Sequence, residues 1–322
     1  MDSNNKLTNL NKQGAQEVSE FLALPQVFKW ANKQTDFIIF GGDTNIKNEN
    51  YFLARKFVNK DTNIESVLDL SVNLANKRTY KEQFITSLGT RGNYTNQYDK
   101  MFFINNDKQT FTPQIIKNGL KDFKIDIYKA FSYFITKQQL KNAKGWLPKY
   151  NSQKDNQVVR SLISDHAPVF TDINLNTNID ATKVDASLKS TIFKIAKDAK
   201  TIRVAHWNIL NYGKKNDKDE AKALSLASII YKSAFDIVGL TEINNGRGEK
   251  VQLIVDELNK LIKESRFKVI VQLQKDTKIR EEYLNSGRFG KGQQEQVAII
   301  YDSKNFDLIN SASFTYPIKY WA

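Results

Sequence analysis

The stretch D-F-I-I-F-G-G-D-T-N, residues 36–45, is an apolar run that ends in two glycines and a group of polar side chains. An apolar run bounded by a Gly-rich turn is typical of a buried strand that leads into a loop. Asp43 and Asn45 would then lie at the carboxyl end of that strand. In α/β folds this position carries functional side chains, because the sheet is rigid and the loop is free to vary.

Polar side chains stand at the ends of other apolar runs as well. The runs are T-I-R-V-A-H-W-N-I-L (201–210) with Asn208, D-I-V-G-L-T-E-I (236–243) with Glu242, H-A-P-V-F-T-D-I (166–173) with Asp165 and His166, and Y-D-K-M-F-F-I (98–104) with Asp99. Taken together, they indicate one polar site built from several strands.

Each polar group also has an ordinary structural explanation. Asp43 and Asn45 would suit a turn with side-chain hydrogen bonds to the backbone, and Asp165 with His166 would suit a surface pair at a strand end. Glu242 is more informative, because a carboxylate in an apolar strand is costly to bury without a partner. His166 is one of only two histidines and stands beside an Asp, so it is the natural candidate for an oriented imidazole base.

The periodicity of the chain predicts an α/β fold. Helices are predicted over residues 15–31, where the pattern holds up to Pro25, and over 115–141, 219–232 and 248–265. Strands alternate with them, and K-V-I-V-Q-L (268–273) and E-Q-V-A-I-I-Y-D (295–302) form a final strand pair. Residues 174–200 are polar, lack strand character and form the predicted linker between two segments, 1–173 and 201–322.

Charge and cysteine content narrow the chemistry. The formal charge of +13 favours a polyanionic partner such as nucleic acid, although a Lys-rich solvated surface explains it equally well. The chain has no Cys, which excludes disulfides and thiolate metal sites. Oxygen and imidazole ligands remain, and they suit a hard cation, Mg²⁺ or Ca²⁺. No signal-like or membrane-spanning apolar stretch is present, so the chain as given is expected to be soluble.

Five motifs taken together resemble those of the endonuclease/exonuclease/phosphatase superfamily, whose best-known member is pancreatic deoxyribonuclease I. They are V-A-H-W-N-I-L-N-Y-G, D-I-V-G-L-T-E-I, G-G-D-T-N, Y-D-K and S-D-H-A-P-V. Their flanking phrases, G-D-T-N-I-K and G-K-G-Q-Q-E-Q-V-A-I-I-Y among them, are most similar to the mycoplasma membrane nucleases. The resemblance covers residues 10–172 and 200–322.

The resemblance implies a four-layer sandwich of two packed mixed sheets flanked by helices, and hydrolysis of DNA or RNA with Mg²⁺, Mn²⁺ or Ca²⁺. It also implies a role for each matched residue. Glu242 would be the main metal ligand with Asn208 beside it on metal or phosphate, Asp43 would orient or deprotonate water, Asn45 would hold a phosphate oxygen, Asp165 would fix the tautomer of the catalytic His166, and Asp99 would complete the metal cluster. Members of this family are membrane-anchored or secreted.

The motifs occur in permuted order. The family order is Asn, Glu, a central His, then Asp-x-Asn, Tyr-Asp and Asp-His, whereas here the last three precede the first two. The chain begins Met1-Asp2-Ser3, matching the residues after the central His, and ends before an expected Arg-bearing loop. We therefore expect two central strands and that His to be missing, and activity to be weakened. His206, beside Trp207, matches an ordinary strand residue of the family and does not replace it.

Two other functions remain open. A remnant could bind nucleic acid through its basic surface without cleaving it. A phosphodiesterase acting on phospholipid or phosphoinositide head groups would also fit the superfamily, but the nuclease-like flanking sequences argue against this choice.

Overall fold

The structure is a computed structural model. It describes residues 10, 13–68, 84–116, 123–176, 197, 200–213, 219–277 and 294–313. The predictions made for Met1-Asp2-Ser3, for most of the 174–200 linker and for the stretch after Ser313 lie outside the described residues.

The described part is mixed α/β, as the sequence predicts. Its strands are β1 (Phe37–Asp43), β2 (Glu65–Ser66), β3 (Ser87–Leu88), β4 (Tyr94–Asn96), β5 (Asp99–Asn105), β6 (Phe111–Pro113), β7 (Val169–Leu175), β8 (Thr201–Tyr212), β9 (Ile237–Asn244), β10 (Phe267–Val271) and β11 (Glu295–Asp302). Its α-helices are α1 (Ala15–Ala31), α2 (Ile127–Tyr133), α3 (Lys137–Leu140), α4 (Asp155–Val158), α5 (Asp219–Lys232) and α6 (Gln252–Ile262). Short 3₁₀ segments cover Asn48–Lys56, Pro148–Asn151, Gly248–Val251 and Gln274–Thr277, and a π-helical turn covers Val159–Ile163.

The larger sheet has six strands in the order β10-β11-β9-β8-β7-β6. Its one parallel pair is β8 with β9, and its other neighbours are antiparallel. The predicted start of the linker at residue 174 is wrong, because strand β7 continues to Leu175. Strands β7 and β8 pair from Val169 with His206 to Asn174 with Thr201. Both segments of the chain therefore contribute to one continuous sheet.

A smaller sheet has three antiparallel strands in the order β1-β5-β2, and β3 with β4 forms a separate hairpin. Asp43 and Asp99 are directly paired where β1 ends and β5 begins. The hairpin is joined to the loop before β7, because Ser87 forms a bridge with His166 and Leu88 N donates to Asp165 O at 2.7 Å. These pairings bring Asp43, Asp99 and His166 to one edge.

The two sheets face each other, and β1 approaches β8 closely at Gly41. A Cβ built on Gly41 would lie 2.6 Å from the Cβ of His206 on β8, so only glycine permits this approach. Helices cover the outer faces. Helix α1 packs Phe21 against Phe102 of β5 with ring centroids 5.9 Å apart, and α5 and α6 share a buried cluster with Trp207 of β8. Apolar burial on both outer faces holds the two sheets in place.

The predicted end of the first helix at Pro25 is wrong, because α1 continues to Ala31 with Pro25 inside it. A proline inside a helix loses one backbone hydrogen bond and crowds the preceding turn. Phe21 and Phe28, on either side of Pro25, are both buried against the smaller sheet. Burial of this apolar face compensates the local cost, which periodicity alone does not reveal.

The single helix predicted over residues 115–141 is also wrong. Ile116 and Lys124 form isolated β-bridges, and two short helices follow. Asp126 caps the first by accepting from Tyr128 N and Lys129 N, and Thr136 forms a capping box with Gln139 at the start of the second. Side chains that cap helices compete with a continuous helix, so the segment restarts at each of them.

Candidate active site

The polar side chains predicted from the sequence converge where β1 ends, β5 begins and β8 runs beside β9. Asp43 and Asp99 come from the smaller sheet, and Asn208 and Glu242 from the larger one. His166 joins them from the loop before β7. The site is therefore assembled from residues on both sides of the 177–196 stretch.

His166 lies between two carboxylates. Its Nδ1 atom is 2.7 Å from Asp99 Oδ2, and its Nε2 atom is 3.5 Å from Asp43 Oδ2. The backbone is held as well, since the Trp207 indole N–H donates to His166 O at 2.8 Å and His166 N donates to Ser164 Oγ at 2.9 Å. The imidazole is therefore fixed in one orientation, with Nε2 toward Asp43.

Electrostatics make this group a cation. Burial opposes the charged imidazolium, but the Asp99 carboxylate outweighs it and, with Asp43 and Asp165, raises the pKa of His166 to about 10. Burial would likewise raise the pKa of Asp99, yet the His166 and His206 rings lower it overall. Burial and the nearby Asp99 charge raise the pKa of Asp43. At neutral pH His166 is therefore an imidazolium that is hydrogen-bonded to the ionised Asp99 carboxylate.

Asn208 connects the two sheets. Its Nδ2 group donates to Glu242 Oε1 at 2.7 Å and to Asp43 Oδ2 at 3.0 Å, which uses both of its hydrogens. Its Oδ1 atom accepts from Leu210 N at 3.0 Å, and Glu242 Oε2 accepts from Asn211 N at 3.2 Å. Asn208 thus holds two carboxylates at a fixed spacing.

Strained backbone is concentrated at this site. Asn45, Leu210, Asn211 and Glu242 all have positive φ, at 51°, 49°, 50° and 59°. Residues other than glycine adopt this left-handed conformation at a cost of about 1–3 kcal/mol each, and such residues cluster at functional sites. Asn45 is held there by its backbone N–H, which donates to Asp43 Oδ1 at 2.9 Å. The exposed Asn45 side chain therefore stands beside the Asp43 carboxylate.

Two roles expected from the resemblance do not match the geometry. The Asp165 carboxylate lies 3.8 Å from the Arg160 guanidinium, and the residue that bonds to His166 is Asp99. Asp99 is fully buried, its Oδ2 atom also accepts from Thr86 Oγ1 at 2.6 Å, and its Oδ1 atom lies 3.4 Å from His206 Nε2. Asp99 orients His166, a position that had been expected for Asp165, and Asp165 contributes only its charge.

Sequence reasoning missed two residues that the structure brings to the site. Glu295 begins β11, where it pairs with Asn244 of β9, and burial together with the charges of Glu242 and Asp43 raises its pKa to about 7. The sequence feature that could have indicated Glu295 is an acidic residue at the start of a strand with alternating polar and apolar residues. His206 is buried with Nε2 3.4 Å from Asp99 Oδ1, a long contact in which neither atom makes a well-formed hydrogen bond. The position of His206 follows from the close approach of β1 to β8 at Gly41, which the sequence does not show.

The donor set suits a hard cation with few protein ligands. Within the described ranges, no set of three or more His, Asp or Glu side chains is arranged to hold a metal ion. Glu242, Asp43 and the Asn208 amide nevertheless converge, and burial together with the charges of Glu242 and Asp43 raises the pKa of Glu295. Mg²⁺ commonly keeps several waters and binds through one or two carboxylates, which fits this set.

Comparison of the chain with models of protein families, with curated proteins and with solved structures gives no match in any of the three. In the part of the chain that the structure describes, every helix is too short or too polar to cross a bilayer.

Proposed function

We propose that this protein hydrolyses phosphodiester bonds of nucleic acid, DNA or RNA, with the help of a divalent hard cation, Mg²⁺ or else Mn²⁺ or Ca²⁺. One observation carries the proposal: the Asp99–His166–Asp43 row stands next to the Asn208–Glu242 pair, and Asn208 bonds to carboxylates on both sides. An imidazolium and a cation-binding carboxylate side by side suit the charge of a phosphodiester in its transition state.

We infer that the fold is a permuted, deoxyribonuclease I-like four-layer sandwich. Two facing sheets with helices on each outer face support this inference, as does the convergence of the five motifs at one edge. The smaller sheet has three strands in the described part. A fold of this kind would need residues of both segments to complete its site.

The protein's own side chains divide the work. With its pKa raised, His166 is protonated at neutral pH, so it would donate a hydrogen bond or a proton to a phosphate or leaving oxygen. Asp99 holds the ring, and Asp43 would orient the attacking water and accept its proton. The exposed Asn45 side chain would hold a non-bridging oxygen, while Asn208 keeps the Asp43 and Glu242 carboxylates at a fixed spacing. A cation held by Glu242 with Asn208 would supply charge neutralisation on the non-bridging oxygens.

Nicking of supercoiled plasmid by purified protein tests the proposal. We expect Mg²⁺-dependent nicking that a chelator stops and that Glu242→Gln and His166→Gln each abolish or strongly reduce. Glu257→Gln on α6 is the matched control, because this carboxylate pairs with Lys260 on a helix surface away from the site. Nicking that persists in chelator, or that survives Glu242→Gln, would argue against the proposal.

A second candidate function is binding of nucleic acid without cleavage. It is favoured by the same metal observation, since the described residues offer no three-group acidic or imidazole set, together with the charge of +13. Affinity that falls steeply with salt, no turnover in any divalent cation, and no effect of Glu242→Gln on affinity would select this function.

A further inference from the structure

Lys100 is a fully buried cation directly beneath the site. It follows Asp99 on β5 and is paired with Gly42 of β1, and its side chain points to the face of the sheet opposite the catalytic carboxylates. Its Nζ atom donates to Ile46 O at 2.9 Å and to Gln97 O at 2.6 Å, and it lies 5.2 Å from the centre of the Tyr51 ring. The ammonium is thus bound by backbone carbonyls and an aromatic face.

The two carbonyls belong to the two loops that present the site. Ile46 follows Asn45, and Gln97 precedes Tyr98, whose ring stacks on His166 with centroids 6.3 Å apart. The same loops are bonded to each other, because Thr44 N and Thr44 Oγ1 both donate to Tyr98 O, at 3.0 and 2.9 Å. One ammonium therefore connects the Asn45 loop to the Tyr98 loop from below.

Burying the Lys100 ammonium group costs desolvation free energy. Among the described residues no carboxylate lies within ion-pair distance of Lys100 Nζ, and the side chain is fully buried. An apolar side chain of similar length would avoid that desolvation. What an apolar side chain could not do is bind the two loop carbonyls.

We propose that Lys100 is a positioning residue of the active site, which fixes the Ile46 and Gln97 carbonyls and so holds Asp43, Asn45 and Tyr98 around His166. Gln13 holds the same loop from outside, with Nε2 donating to Asn45 O at 2.9 Å and Oε1 accepting from Lys47 N at 3.0 Å. Two independent clamps on one short loop fit the need to keep Asn45 in a left-handed conformation. This inference rests on the proposed function and deepens it.

The test is Lys100→Met, which keeps the length of the side chain and removes the donors. Its matched control is Lys137→Met, where an ammonium bound to Gln153 O and Asp155 is lost on α3, away from the site. Amide hydrogen exchange is measured over residues 43–47 and 97–98, together with kcat and KM for nicking. We expect Lys100→Met to speed exchange in both loops and to lower kcat about 10²-fold with a much smaller change in KM, and Lys137→Met to do neither.

Unchanged loop exchange in Lys100→Met would overturn the inference, and so would faster exchange with kcat within twofold of the wild type. If Lys100→Met does not fold, Lys100→Gln keeps one donor group and is judged by the same two criteria. A wild-type protein without nuclease activity would refute the proposed function, and loop exchange would still decide whether Lys100 holds the loops.

Discussion

His166 and Asp99 form a buried pair in which Nδ1 and Oδ2 are 2.7 Å apart. Asp99 begins β5, whereas His166 lies in the loop before β7, 67 residues away in the chain. The pair exists because β1 and β5 place Asp99 at the sheet edge while the Ser87–His166 bridge brings the imidazole to it. A hydrogen bond between two charged groups out of water is short and strong, and removing either partner leaves the other charge uncompensated.

Asp99→Asn should lower the pKa of His166 sharply. Asp99 is the main group that raises this pKa to about 10, and without it burial pulls the value toward or below 6.5. Cleavage should fall roughly 10²–10⁴-fold, because the imidazole would be neutral and less well oriented. NMR titration of His166 gives the pKa directly. Asp165→Asn is the control and should shift it much less, because the Asp165 carboxylate lies beside Arg160; equal shifts in the two variants would refute the assigned roles.

Lys100 and His166 should have opposite effects on stability between pH 7 and 10. The folded pKa of His166, about 10, lies above the usual 6.5, so its stabilising contribution is complete below pH 6.5 and is lost as pH rises toward 10. The folded pKa of Lys100, about 7, lies below the usual 10.5, so the unfolded chain binds the extra proton and stability rises with pH over nearly the same range. The two slopes, each up to about 1.4 kcal/mol per pH unit, should largely cancel.

Urea unfolding at several pH values, in the presence of a chelator, separates the two groups. The free energy of unfolding should fall with pH in Lys100→Met, where only the His166 slope remains, and rise with pH in His166→Gln. Parallel pH dependence in the two variants would contradict the opposed shifts.

Gly41→Ala should destabilise the protein by roughly 1–3 kcal/mol, because its Cβ would meet the His206 Cβ at 2.6 Å between the two sheets. His206→Ala should not relieve the clash, since alanine keeps the Cβ, whereas His206→Gly should. Gly239→Ala on β9 is the control, because a Cβ there has its nearest neighbour at 3.9 Å. Equal costs for the two glycine replacements, measured by urea unfolding, would contradict the close approach.

Arg203→Met should cost about 3–5 kcal/mol of stability. The guanidinium makes a bidentate pair with Asp172, at 2.8 and 2.9 Å, directly across the β7–β8 pairing, and also donates to Ser233 O at 2.9 Å. Its removal leaves Asp172 charged and unpaired. Adding Asp172→Asn should recover part of the loss, and strictly additive effects of the two changes in a double-mutant cycle would show that the pair contributes nothing.

Elements with a strong local pattern could be predicted from the sequence. Helix α5 and strand β11 have the predicted bounds, and strands β1, β5, β8, β9 and β10 differ by a residue or two at their ends. Periodicity is a property of neighbouring residues, so it is visible without a structure. Continuation of α1 past Pro25 depends instead on burial of Phe21 and Phe28 against another element, which no local pattern contains.

The residues that form the candidate site could be predicted from the sequence more readily than the contacts between them. Polar side chains at the ends of neighbouring strands are expected to meet at one edge of a sheet. Four of the predicted residues do lie together there: Asp43, Asn208, Glu242 and His166. The bond of His166 to Asp99 rather than to Asp165 could not be predicted, because it depends on the bridge between Ser87 of the β3–β4 hairpin and His166. Glu295 was missed because its neighbours come from other strands of the folded sheet.

The antiparallel pairing of β7 with β8 joins the two segments by non-covalent contacts. These contacts, rather than the covalent link, bring the residues of the candidate site together. Six register pairs, Val169–Asn174 with Thr201–His206, and the Arg203–Asp172 ion pair join them directly. Two polypeptides separated within residues 177–196 should therefore reassociate when mixed. The candidate site would then form by fragment complementation, with Asp43 on one polypeptide and Glu242 on the other.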